Sequence, residues 1–445
     1  VKQIESLVTG DAVHERRGRY LLTAARRYGK MNENCKKGAF MAIHHDKLAY
    51  GKISSLREDF SEDRLIAMAD RLSEGRKDPF PDYDRSIAGL ACSLLRHFGV
   101  SLPQGEATLP LADICLADEY ESVAVLLLDG MGMCALNRNL AKGGFFRSHL
   151  VGEYSSVFPS STVAATTSFL SGASPCRHGW LGWTGYFPEV DRNVVLFSNE
   201  DAMSGRTAAR EPLAPHRFSY RSILALISAQ GVSTHMIAPF LPPNPKNFEE
   251  LCSIMRDILS KNGRKMIYAY WPEPDAAMHC NGVFSEEAES VMAALERETQ
   301  ALWESVPKNT LLLITADHGQ IDAGKNYCIC NFPAIADCLK RQPSCEPRAL
   351  NLFVKEGKQE AFRSAFEEYF QDEFKLLSKE EFLRSGLLGR GAPHPALSDT
   401  LGDFFAVATG DAAIYNTKEE AERFKGIHAG LTEDELCIPL IVLRR

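Results

Sequence analysis

The chain has 445 residues, 45% of them hydrophobic and 24% charged, with a net charge of −8. These values are ordinary for a globular protein of one large elaborated domain or two to three smaller ones, and the acidic balance argues against nucleic acid as the main partner. No apolar stretch approaches the roughly 18 residues needed to span a bilayer, and no signal-peptide h-region is present, so a cytoplasmic protein without a membrane span is expected. The twelve cysteines agree with this: only Cys328 and Cys330 sit close, as C-x-C, and no C-x-x-C pair occurs. That usage fits reduced thiols that pack as small core residues.

In chain order, residues 1–80 read as a separate segment of unknown role. Residues 1–60 hold twelve Lys/Arg against seven Asp/Glu, a local +5 that leaves about −13 for the remainder by subtraction. The basic run "HERRGRYLLTAARRYGK" reads as a solvated helix face. Ser61 is a good N-cap for a helix running to Leu72, and "GRKDPFPDYD" (75–84) reads as a linker. Three later stretches read as fully buried strands: "VAVLLLDGMG" (123–132), "MIYAYWPEPD" (266–275) and "LLLITADHG" (311–319). Between them lie helical patterns at Ala164–Leu170, Arg221–Ala229, Asn247–Leu259 and Glu286–Glu304. Continuous apolar runs alternating with helices predict an α/β three-layer sandwich around a largely parallel sheet. The charged helical patterns after "ALNLFVKEG" and the Gly/Pro stretch "GLLGRGAPHP" predict an inserted cap at about 346–400, with core character returning at "DFFAVATGD". Residues 81–445 would then be one catalytic domain.

Each buried strand ends in residues that chemistry can use. Asp129, Asp275, and Asp317 with His318 would converge, because ligands of such sheets bind at the carboxyl ends of the strands. Asp317 and His318 are neighbours and would face opposite ways on a strand, so the chain must already have curled there. Asp275 and His279 form D-x-x-x-H, which puts a carboxylate and an imidazole on one helical face, a spacing suited to a metal. Three carboxylates so close would repel strongly without cations between them, and two divalent ions are the economical answer. The stretch "SVFPSSTVAATTSFLSGASPCRHGW" (156–180) opens a helix on small and hydroxyl residues, and a helix N-terminus attracts anions such as phosphate. Ser160, Ser161, Thr162, Thr166 and Thr167 are equal candidates for a nucleophile on propensity alone.

Six pieces in order, "LLLDGMG", "FPSSTVAATTSFLSG", "CRHGW", "PEPDAAMH", "ITADHGQ" and "GIHAGL", resemble the type I phosphodiesterase/nucleotide pyrophosphatase family of the alkaline phosphatase superfamily. The resemblance covers about residues 85–445. It implies an alkaline phosphatase-like fold and a Thr162 nucleophile. One metal would be held by Asp275, His279 and His428, and a second by Asp129, Asp317, His318 and the Thr162 oxygen. Mixed Asp and His ligands favour Zn2+, with Mn2+ as the substitute. The implied reaction is hydrolysis of a small-molecule phosphate ester, a diester by preference, through a phospho-threonine intermediate.

The pattern departs from the family at one point. Members usually carry an Asn a few residues after the His-Gly that follows the nucleophile helix, where it contacts a phosphate oxygen; here Trp183 stands near that place. Trp180, Trp183 and Tyr186 either line a pocket for the leaving group or pack in the core. A sulfatase would need C-x-P-x-R, and "CEPRA" (345–349) has the wrong spacing, while the serine motif of the phosphoglycerate mutases is absent. A phosphomonoesterase or phosphonate hydrolase of the superfamily stays open, as does a regulatory protein with a secondary hydrolase site. His44, His45 and Asp46 read as surface or packing residues, His178 as structural and Cys280 as packing; His394 could reach the site from the cap, and nothing in the sequence decides its role.

Overall fold

The computed structural model describes residues 79–445. The Ser61–Leu72 helix, the basic run and the His44, His45 and Asp46 group lie outside the described residues. Six strands form a central sheet: β1 Ser122–Leu128, β2 Leu150–Ser155, β3 Ser233–Ile237, β4 Lys265–Trp271, β5 Thr310–Thr315 and β6 Cys437–Arg444. Their spatial order is β2-β6-β5-β1-β4-β3. Strands β5, β1, β4 and β3 run parallel, and β6 lies antiparallel between β5 and β2. β1 and β5 are buried along their whole length and β4 nearly so. This explains the continuous apolar runs, since a strand covered on both faces has no polar side. Each such Val, Leu or Ile contributes about 1.5–3 kcal/mol on leaving water.

β6 was not anticipated. Its Pro439 has no N–H for the ladder, and the register with β2 shifts between Leu440 and Ile441, one residue on. The Thr315 hydroxyl donates to the Pro439 carbonyl (2.7 Å), tying β5 to this irregular place.

The helices fall into two groups that pack among themselves. α1 (Ile87–His97), α2 (Thr162–Ser171) and α3 (Ile223–Ser228) form one, and α4 (Phe248–Leu259), α5 (Asp275–Asn281) and α6 (Glu286–Ser305) the other. The four helices expected between the buried strands are all present, and side-chain caps fix where three of them start. Ser222, Asn247 and Ser285 each accept a hydrogen bond from the backbone N–H three residues on. The fold is therefore mixed α/β with a central sheet and helices.

A second, antiparallel sheet of seven strands differs from the expected insertion. It takes Thr184–Phe187, Arg192–Val195 and Glu200–Asp201 from one stretch and Ser344–Glu346, Ala349–Leu352, Phe374–Ser378 and Phe404–Ala408 from another. "DFFAVATGD" thus belongs to this sheet and not to the central one, and the layer is not confined to 346–400. Its core is aromatic: Phe362, Phe366 and Phe370 line one face of the helix Gln359–Phe370 and pack against Phe374 and Phe404.

Among the described residues no helix is long and apolar enough to cross a membrane. Most described cysteines are free, as expected, but Cys328 and Cys330 are joined. The chain leaves a strand into a 3₁₀ turn there, which brings their Cα atoms to 5.2 Å. Cys280, expected in packing, is exposed.

Candidate active site

β5, β1 and β4 are adjacent and in register, with Leu127 opposite Thr315 and Leu128 opposite Trp271. The residues just past their carboxyl ends therefore meet. Asp129 follows β1 directly, Asp317 and His318 follow β5, and Asp275 opens α5 after β4, with His279 one helical turn on. Close backbone approach makes this convergence possible. Gly130 has φ +73°, and a Cβ there would lie 2.8 Å from Asp275 Cβ. A Cβ on Gly132 would overlap the backbone of Gly319. The glycines of "DGMG" and "DHG" thus let the loops after β1, β4 and β5 touch.

Two groups of ligand-type atoms result, each with its atoms within 4.8 Å of one another: Asp129, Asp317 and His318, and Asp275, His279 and His428. The first is buried, the second half-buried. In the buried group His318 Nε2 lies 3.3 Å from Asp129 Oδ1 and 3.7 Å from Asp317 Oδ2. Thr162, the first residue of α2, points its Oγ1 into this group, 3.2 Å from His318 Nε2 and 3.4 Å from both Asp129 oxygens. In the half-buried group Asp275 Oδ1 lies 3.3 Å from His279 Nε2 and 3.8 Å from His428 Nε2. The rings of His318 and His428 stack at 3.9 Å, so the groups are adjacent.

The supporting contacts suit coordination. Nδ1 of His279, His318 and His428 sits on the carbonyls of Gly426 (2.7 Å), Gly319 (3.0 Å) and Ser160 (3.0 Å). An N–H directed at a carbonyl fixes the tautomer in which Nε2 carries the lone pair. Burial, joined by the neighbouring His318, holds His428 well below the usual imidazole range, and burial brings His279 down to about 4. Both are neutral donors. Gln320 Nε2 donates to Asp275 Oδ1 (2.9 Å), Gly130 N–H to Asp317 Oδ1 (3.1 Å), and the Tyr270 hydroxyl to Asp129 Oδ2. Sequence reasoning missed Tyr270 and Gln320, although both sit within five residues of a carboxylate that was singled out.

The electrostatics call for positive charge. Burial and the neighbouring Asp129 push Asp317 up to about 7 and Asp275 well above the carboxylate range. Asp317 Oδ2 is buried without a hydrogen-bond partner. Burial by itself would lower His318, yet Asp317, Asp129 and Asp275 reverse that and raise it to about 10. A proton on His318 thus takes the place a cation would fill. Carboxylate oxygens with imidazole nitrogens at this spacing fit a divalent ion in each group.

The remaining candidates separate. Trp180 is buried and donates through Nε1 to the Phe218 carbonyl (2.9 Å), so it is core. Tyr186 donates to Asp191 (2.9 Å) and lies under the Arg341 guanidinium. Only Trp183, 52% exposed, offers an open ring, so the three do not form one pocket. His178 is buried between the Ser168 hydroxyl (2.9 Å) and the Trp180 N–H (3.1 Å), and burial brings it down to about 3. His394 packs on Phe218 and accepts from the Ala396 N–H, and it belongs to neither ligand group.

A model of the type I phosphodiesterase/nucleotide pyrophosphatase family matches residues 123–430. No curated protein matches the chain. Among solved structures, murine ectonucleotide pyrophosphatase/phosphodiesterase 5, an inactive variant in complex with AMP, is 17% identical with a TM-score of 0.54, covering 73% of this chain and 87% of that one. The phosphonoacetate hydrolase of Sinorhizobium meliloti 1021 with phosphonoformate is 16% identical with a TM-score of 0.54, covering 73% and 90%. Human ectonucleotide pyrophosphatase/phosphodiesterase 5 is 16% identical with a TM-score of 0.53, covering 72% of this chain and 87% of that one. At these identities the likeness concerns the fold.

Proposed function

Because this chain belongs to the type I phosphodiesterase/nucleotide pyrophosphatase family and so is a hydrolase of phosphoric ester bonds, we propose that it cleaves a small-molecule phosphodiester with Thr162 as the nucleophile. The observation that carries this is Thr162 Oγ1 at 3.2–3.4 Å from His318 and Asp129, at the head of a helix. Asp129, Asp317 and His318 would hold one divalent ion and Asp275, His279 and His428 a second, Zn2+ by preference and Mn2+ as the substitute. When bound, such ions lower the cost of deprotonating a hydroxyl and of placing charge on a leaving oxygen.

The residues do the rest. The N-terminus of α2 presents backbone N–H groups and the positive end of its dipole to the phosphoryl oxygens. Thr162 Oγ1 forms a bond to phosphorus as the bond to the leaving alcohol breaks, and its own proton passes to solvent. Water then attacks the phospho-threonine, releasing the phosphate monoester and restoring the hydroxyl. His279 and His428, neutral and fixed through Nδ1, keep Asp275 in place at the side open to solvent.

The same reading makes residues 81–445 one catalytic domain, with the two helix groups as the outer layers of a three-layer sandwich. The 346–400 part of the second sheet serves as a cap, and residues 1–80 as a separate segment. The free buried cysteines support a cytoplasmic setting. The test is metal content per chain on protein purified without chelators, beside turnover of bis-p-nitrophenyl phosphate and p-nitrophenyl phosphate. Two zinc ions per chain with faster diester cleavage is expected. Preference for the monoester would replace the phosphodiesterase by a phosphomonoesterase, and no metal with no turnover would overturn the reading.

A further inference from the structure

Glu346 lies in "CEPRA", which the sequence offers only as a spacing unsuited to a sulfatase. In the fold it ends the strand Ser344–Glu346, where the second sheet meets the head of α2. Its Oε1 accepts two hydrogen bonds, from the Ser161 hydroxyl (2.5 Å) and from the Trp183 backbone N–H (2.6 Å). Ser161 is the N-cap of α2, and Thr162 follows it. The carboxyl is therefore bonded to the residue next to the nucleophile.

It is also held there. A Cβ on Gly182 would lie 2.7 Å from Cys345 Sγ and 2.9 Å from Glu346 Cγ, so the 182–183 turn wraps the base of the side chain without slack. Ser161 is buried, while Glu346 and Thr162 both keep accessible surface, and Ser161 links the carboxyl to the residue before the nucleophile. No ligand-type group includes it, and no cation is paired with it among the described ion pairs.

The helix N-terminus and two ions attract any phosphoryl group, and they attract a dianion more than a monoanion. A site built only of attraction would thus prefer monoesters. Discrimination in the other direction needs a repulsive element. We infer that Glu346 is a specificity-determining carboxylate that faces the phosphoryl group at Thr162, disfavouring the dianionic group of a monoester and admitting the monoanionic group of a diester. The inference rests on the phosphodiesterase reading above and adds the substrate charge that the site selects.

Burial is the largest influence on Glu346 and pushes it up to about 7, with Ser161, Trp183 and His318 pulling the other way. Measurements at about pH 8.5 therefore see it ionised. The zinc-loaded full chain is compared with Glu346→Gln, which keeps the shape and removes the charge. In the variant, kcat/KM for p-nitrophenyl phosphate should rise at least about 10-fold while that for bis-p-nitrophenyl phosphate stays within about 3-fold, since like-charge juxtaposition is what is removed. The Kd of inorganic phosphate, read by calorimetry, should tighten at least about 10-fold by the same argument, at unchanged metal content. A role in holding the fold would instead lower both activities together.

Glu346→Asp, which keeps the charge, should retain the wild-type preference, and Glu346→Ala should move both readouts as Glu346→Gln does. An unchanged ester preference and phosphate affinity in a metal-loaded variant would overturn the inference while leaving the hydrolase reading intact. If the wild type cleaves neither ester, the hydrolase reading fails, and phosphate affinity alone still decides the role of Glu346.

Discussion

The two ligand groups have the same donor chemistry and different surroundings. Asp129, Asp317 and His318 are sealed, whereas Asp275, His279 and His428 keep contact with solvent. Burial raises the stakes of every charge, because an uncompensated buried carboxylate costs several kcal/mol while an exposed one costs little. In the sealed group the carboxylates Asp317, Asp129 and Asp275 overcome burial and raise His318 to about 10, while in the open group burial prevails and holds His279 at about 4. On the proposed reading, the sealed group would hold a cation beside Thr162 and the open group would let oxygen ligands come and go. A third histidine shows that burial is not the cause by itself. His178 is as buried as His318 yet moves the opposite way, down to about 3, because no carboxylate faces it.

The largest test of this contrast is Thr162→Ala. Turnover should fall by about 10⁴-fold or more, as for loss of a nucleophile elsewhere, while both groups keep their metal. Activity within tenfold of wild type would mean that the sealed group does not serve Thr162. Next is His428→Ala, which should empty only the open group, so that metal analysis finds one ion per chain where two are expected for the wild type. Gln320→Ala is the milder form: it frees Asp275 Oδ1 and should weaken that one ion by about 10–100-fold, the worth of a supporting hydrogen-bond partner. Equal loss from both groups in either variant would erase the distinction between them.

The smallest effect concerns His178. Its folded pKa, about 3, lies below its unfolded value of about 6.5. The unfolded chain therefore binds the extra proton between these values, and the stability due to a neutral His178 is full above about pH 6.5 and lost as pH falls. One proton gives at most about 1.4 kcal/mol per pH unit. Denaturant titrations at pH 5 and pH 7 should show a shallower pH slope for His178→Gln than for wild type. Equal slopes would mean that burial does not set this histidine's charge.

Much of both ligand groups was legible in the sequence, for a physical reason. Strands buried on both faces leave continuous apolar runs, so the carboxylates a few residues past their ends, Asp129, Asp275 and Asp317, stood out. The D-x-x-x-H spacing of Asp275 and His279 proved to be helical, as α5. The second sheet was not legible, because its strands are two to five residues long and come from two separated stretches. Periodicity needs a longer window than that. Glu346 was hidden for the same reason: its meaning lies in Ser161 and Trp183, which sequence distance does not connect to it. β6 was passed over although "CIPLIVLR" is apolar, since its Pro439 argues against a central strand.

The place of β6 has a consequence for how the molecule is made. It is the last-synthesised strand of the central sheet, yet it sits inside it, between β5 and β2. Until it inserts, both neighbours present open hydrogen-bonding edges, and such edges recruit other chains. His428, nine residues ahead of the strand, cannot be positioned much earlier. A growing polypeptide on the ribosome can therefore assemble the parallel strands that carry the three aspartates, but both candidate ligand groups are complete only after the chain has been made through β6.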